Sequence, residues 1–124
     1  MVSCEDAIAK LNPKIVPGTY WICNTGKRGL TENAIGFFKE RKGYTLVLKQ
    51  EKKPALRCAG PKAMVDVGVE TPSGAEGFMA RVTGALGKKN ICCYVFSAYW
   101  QDFVFVPKKD ANRAIKTLRN LKKH

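Results

Sequence analysis

Between residues 63 and 70 apolar side chains alternate without a break. Ala63, Val65, Val67 and Val69 fall on one face of an extended chain, and Met64, Asp66, Gly68 and Glu70 fall on the other. A turn sequence follows at Thr71-Pro72-Ser73-Gly74, and the period then changes. Over residues 75–88, Phe78, Val82, Ala85 and Leu86 recur at helical spacing. A strand with one face to bury, followed at once by a helix with one stripe to bury, commits this part of the chain to a helix layer packed on a sheet.

The pattern continues towards the C-terminus. Residues 91–98 read as a strand, Tyr99-Trp100-Gln101-Asp102 as a tight hairpin, and residues 103–106 as the returning strand. Asp110 is placed to cap a last helix whose core stripe is Ala111, Ala114, Ile115, Leu118 and Leu121. The front half follows a similar plan with weaker signals. Ser3 and Asp6 have capping-box spacing before Ala7, Ile8 and Leu11. A strand is expected at 19–24, a basic glycine loop at 26–30, a helix at 31–41 capped by Thr31, and a strand at 44–49. Arg57-Cys58 begins a further short strand, and Gly60-Pro61 reads as a break.

The order is thus a helix, then βαββ, then βαββα. With right-handed crossovers this gives an α+β, ferredoxin-like, βαββαβ-type two-layer sandwich: an antiparallel sheet with helices on one face. Two units are expected, an incomplete N-terminal half at 1–60 and a complete copy at 61–124.

Several function classes are excluded. His124 is the only histidine, so no Cys–His or Ser–His–Asp set exists and no catalytic residue is assigned. The five cysteines (Cys4, Cys23, Cys58, Cys92, Cys93) have no CxxC pair, which leaves no zinc site, and all are expected reduced. Gly26-Lys27-Arg28-Gly29 lacks the phosphate-loop pattern, and no cofactor is implied. No apolar run approaches the ~20 residues of a membrane span, and no secretory signal is visible, so a cytoplasmic protein is expected. Lysine and arginine number 22 against 10 acidic residues, a net charge of +12. That surplus suits either a solvated basic surface or a polyanion partner.

The stretch from Gly77 through Phe78, Val82, Thr83 and Leu86 to Asn90-Ile91 resembles the first helix of ACT domains and the entry into their next strand. The fit extends through Phe103-Val104-Phe105-Val106-Pro107 and the closing helix. The front half, with Leu11-Asn12-Pro13, Pro17-Gly18-Thr19-Tyr20 and Thr45-Leu46-Val47-Leu48, is similar to that of small stand-alone ACT domain proteins, in which two ACT-like halves share one chain. The resemblance implies a non-catalytic sensor that binds an amino acid or a similar small effector. It also implies a homodimer and, by analogy, a partner enzyme of amino-acid metabolism that such a subunit regulates.

The effector site implied lies at the loop before the first helix of the complete half, at Ser73, Gly74, Ala75, Glu76, Gly77 and Phe78, with Ser97 and Tyr99 across from it. The location has independent physical support. A helix N-terminus offers unpaired N–H groups and partial positive charge to a carboxylate. Gly74 and Gly77 permit close approach, and Glu76 or carbonyls at 96–98 are acceptors for an ammonium group. Each residue also has a plain structural role: glycines for the turn, Tyr99 and Trp100 to cover a hairpin, Ser97 on an outward face. The usual loop aspartate of ACT domains has no counterpart here, and Trp100-Gln101 stand where the resembling group carries histidine before the aspartate.

The alternative is a basic ferredoxin-like nucleic-acid-binding protein, presenting Tyr20, Trp21, Tyr44, Tyr94 and Phe96 from its strands. The aromatic RNA-binding signature on a central strand is missing.

Overall fold

The computed structural model describes residues 2–72 and 74–123. In chain order it contains α1 (Cys4–Ala9), β1 (Lys14–Thr25), β2 (Gly36–Glu40), β3 (Gly43–Lys49), β4 (Arg57–Asp66), α2 (Phe78–Lys88), β5 (Tyr94–Ser97), β6 (Asp102–Pro107) and α3 (Ala111–Arg119). Short 3-10 turns at Arg28–Asn33, Lys108–Asp110 and Asn120–Lys123 complete it. All six strands join one sheet in the order β2-β3-β1-β4-β6-β5, and every pairing is antiparallel. The expected α+β sandwich, with its helices on one face of an antiparallel sheet, is the architecture found.

The alternation at 63–69 does what its period requires. Ala63, Val65 and Val67 join Val104 and Val106 of β6 on the face that receives all three helices. Ala7, Ile8 and Leu11 from the α1 segment, Phe78, Val82 and Leu86 from α2, and Ala114, Ile115 and Leu118 from α3 complete this core. Burying each valine or leucine there contributes about 1.5–3 kcal/mol of transfer free energy. Ser3 caps α1 as its spacing predicts, accepting from the Asp6 N–H at 3.1 Å. Asp110 does not cap α3; its carboxylate instead meets Arg113 at 3.4 Å.

The front half departs from expectation at residues 31–41. No helix forms; the chain makes the 3-10 turn and then β2, which pairs with β3 from Gly36↔Val47 to Glu40↔Gly43. Gly36 is a poor helix residue, and the aromatic Phe37 and Phe38 suit a pleated edge. Gly43, at φ +88°, closes the tight turn, with Asn24 Nδ2 donating to the Lys42 carbonyl at 2.8 Å. The apolar spacing at 34–38 satisfied both periods, and backbone pairing along the open edge of β3 decided between them.

Gly60-Pro61 is not a break either. Both residues lie inside β4, joined by a cis peptide, so the 60/61 boundary falls within a strand. Register irregularities against β1 accumulate there.

Cys23 and Cys58 occupy directly opposed positions on β1 and β4 and are joined by a disulfide, which corrects the expectation of five reduced thiols. Cys4, Cys92 and Cys93 are thiols. Sequence spacing carried no hint of this pair because a sheet register, set over 35 residues of intervening chain, brings them together.

The sheet's other face holds a second, smaller core of Tyr20, Ile22, Val47 and Phe105. Phe105 receives Tyr20 and Phe96 edge-on, at 5.9 and 5.4 Å between centroids. A flat sheet of this order would hold β2 and β5 roughly 24 Å apart. Residues of both edges, Phe37 and Phe38 on one side and Phe96 on the other, nevertheless line one cleft of about 280 Å³. The sheet is therefore curled around this face.

Candidate functional site

Strand β4 ends at Asp66, whose carboxylate accepts from the Gly68 N–H at 2.8 Å and from Gln101 Nε2 at 3.3 Å. These contacts turn the chain out of the sheet and hold it against the β5–β6 hairpin. The loop then passes Thr71, which is buried. Its N–H donates to the Trp100 carbonyl at 2.9 Å, and its hydroxyl donates to Asp102 Oδ2 at 3.0 Å. The loop is fastened to the hairpin at two points before α2 begins.

Between that loop, the start of α2 and the hairpin lies a cavity of about 290 Å³, lined by Gly74, Ala75, Phe78 and Met79 on one side and by Ser97, Ala98, Tyr99 and Asp102 on the other. Five of the residues expected at the site meet here: Gly74, Ala75, Phe78, Ser97 and Tyr99. Glu76 is exposed and does not line the cavity. Gly77 precedes α2 in the left-handed region, at φ +78°, and is also outside the lining. Ser73 lies outside the described residues. Ala98, expected only through its backbone carbonyl, also lines the cavity, and the sequence reading missed Met79 and Asp102. The aspartate had been noted only as part of the hairpin, and β6 turns it inward.

Among the described residues no side chain caps α2. The Phe78 N–H donates to the Ala75 carbonyl at 3.1 Å and the Arg81 N–H to the Gly77 carbonyl at 3.1 Å. The N–H groups of Met79 and Ala80 have no acceptor outside their own helix among the described residues, which leaves them to the positive end of the helix.

The strand aromatics expected to stack on bases do not form a platform. Tyr20 and Trp21 are buried, Phe96 packs on Phe105, and Tyr94 lies under the Lys62 ammonium, 5.1 Å from its ring centre. Burial pushes the Tyr20 phenol above its ordinary range, with its hydroxyl donating to the Pro17 carbonyl at 2.7 Å. Burial likewise raises the Cys93 thiol; the neighbouring Cys92 adds to this and Lys62 opposes it. No group of three or more metal-ligating side chains converges among the described residues.

An α+β sandwich with a cavity at the start of α2 defines the class. Residues 62–120 match the family model for the ACT domain, so that stretch of the chain is an ACT domain. It is similar in structure to a Vibrio cholerae protein of unknown function described as a possible transport protein. The TM-score is 0.83 at 26% identity, with 97% of this chain and 96% of that one covered. An Agrobacterium tumefaciens protein has a TM-score of 0.76 at 16% identity over 91% and 90% of the two chains. The regulatory subunit of aspartate kinase from Thermus flavus has a TM-score of 0.66 at 10% identity over 90% and 98%. No curated protein sequence matches the chain.

Proposed function

We propose that this chain is a non-catalytic, cytoplasmic regulatory protein that responds to an amino acid bound in the cavity at the start of α2. The observation that carries the reading is that cavity. It joins a helix N-terminus that has no side-chain cap among the described residues to a buried residue, Asp102, across about 290 Å³. An amino acid presents the complementary pair of charges: its carboxylate takes the Met79 and Ala80 N–H groups, and its ammonium takes Asp102 and the carbonyls of the hairpin. Phe78, Met79 and Tyr99 supply apolar walls for a side chain. Asp102 fills the acceptor role for which Glu76 had been considered. Similarity in fold to regulatory subunits of aspartate kinase supports a role as the regulatory partner of an enzyme of amino-acid metabolism. A homodimer is part of the proposal, since β5 pairs only with β6 and leaves its outer edge open beside exposed Tyr94 and Val95.

The test is a thermal-shift screen against the twenty amino acids. A cognate ligand at about 100 times its Kd adds about 2.7 kcal/mol, and Ala75→Leu, which fills the cavity wall, abolishes the shift. A flat screen, or a shift that survives Ala75→Leu unchanged, sinks the reading. Light scattering on a sizing column reports the oligomeric state, and a monomer at micromolar concentration removes the dimer.

A further inference from the structure

Part of the positive charge is gathered on the helices. Neither α2 nor α3 contains an aspartate or glutamate, yet Arg81, Lys88 and Lys89 belong to the first and its C-terminal cap, and Arg113, Lys116 and Arg119 to the second; all are exposed. The helices run antiparallel: Arg113 Nη1 donates to the Lys89 carbonyl at 3.0 Å, tying the start of α3 to the end of α2. Among the described residues only Arg113 of these six forms an ion pair, with Asp110 at 3.4 Å. Arg113, Lys116 and Arg119 are three residues apart, so they fan along the outer side of α3 with a rise of about 4.5 Å between neighbours. Between the helices runs a groove of about 480 Å³ whose α2 wall is Ala80, Gly84 and Ala85, bordered by Arg81 and Lys88. Small side chains let a partner's backbone come close to the helix while the cations flank it.

We propose that this α2–α3 face binds the phosphate backbone of nucleic acid, without reading sequence. Charge complementarity carries the choice of partner: rows of cations, of which Arg113 alone meets a carboxylate among the described residues, match a polymer with a charge on every unit. Two other anionic surfaces fit less well. Of the exposed large apolar residues (Ile15, Ile35, Phe37, Phe38, Tyr94, Val95, Tyr99 and Trp100), Ile15 borders these cations, lining a cavity with Lys116 and Arg119, and a single aliphatic side chain is too little to anchor the face in a bilayer. The same lack leaves an acidic protein without the buried anchors that specific protein interfaces use. No aromatic is exposed on this face, which excludes base stacking and restricts contacts to the backbone.

The experiment is fluorescence anisotropy of the full chain with a labelled mixed-sequence duplex of about 20 base pairs, as DNA and as RNA, between roughly 50 and 200 mM salt. If six cations engage, affinity falls about 1,000-fold over that range. Lys116→Glu with Arg119→Glu weakens binding at least about tenfold at low salt and lowers the salt slope by about 0.9 for each cation lost. Lys116→Gln with Arg119→Gln serves if the double reversal melts early. Lys39→Glu with Lys42→Glu, on the β2–β3 hairpin, is the control and changes affinity less than about twofold. Four results overturn the proposal: no binding of either duplex at low salt, equal loss in the hairpin control, displacement by poly-glutamate at equal charge, or tighter binding to phosphatidylserine vesicles through Lys116 and Arg119. Preference for DNA or RNA names the source of the phosphates.

Discussion

The Thr71 hydroxyl donates to the Asp102 carboxylate at 3.0 Å with both side chains buried, so the loop entering α2 is anchored to β6 across 31 residues of sequence. Asp102 also lines the cavity, so one carboxylate both holds the loop and faces the site.

Removing the donor leaves a buried carboxylate short of a partner. Thr71→Val, close in shape, is expected to lower stability by about 1–3 kcal/mol, read by urea denaturation. It also weakens the response to the cognate amino acid, because the N-terminus of α2 loses its tether. A variant as stable as the parent would show that the bond contributes nothing.

Two glycines respond to alanine in opposite directions. A Cβ on Gly68 would lie 1.8 Å from the Asn12 carbonyl oxygen, at a φ of +82°. Gly68→Ala is expected to cost about 3 kcal/mol or more, since backbone blocks it on the far side. Gly84 sits inside α2 with nothing within 4 Å of the added carbon, and Gly84→Ala gains about 0.5–1 kcal/mol. Thermal melts of the pair decide it.

The pH dependence of Tyr20 follows from its burial. Its folded pKa lies above the ordinary 10.0, so the folded state holds the proton more tightly than the unfolded chain does. The stabilisation is complete below 10.0 and is lost as pH rises from there through the folded value. Tyr20→Phe, assayed beside the parent protein, is expected to flatten that part of the alkaline decline. Parallel curves would rule out the tyrosine as its source.

The disulfide sets a thiol count. Alkylation in denaturant without reductant labels Cys4, Cys92 and Cys93 and spares Cys23 and Cys58, which react only after reduction. Reduction is expected to destabilise the fold by about 2–4 kcal/mol, because it frees a loop of 35 residues in the unfolded chain. In the cytoplasm the reductant pool works against this bond, and labelling in lysed cells measures how much of it survives.

What the sequence settled by itself is the part governed by local period. The alternation at 63–69 could face a core only as a strand, and the stripes of α2 and α3 only as helices, because neighbouring side chains follow the backbone's own repeat. The candidate site came from the resemblance to ACT domains, with the unpaired N–H groups of a helix start as its physical support. Where local patterns were degenerate, tertiary pairing decided. Residues 34–38 fit a helix as well as a strand until β3 offered an open edge. Cys23 found Cys58, and Thr71 found Asp102, through sheet register and loop path, which depend on contacts between segments far apart in the chain. The cations of α3 were legible as one polar face, since Arg113, Lys116 and Arg119 fall at helical spacing in the densest basic stretch. Only the packing of α2 beside α3 brings Arg81 and Lys88 into the same layer.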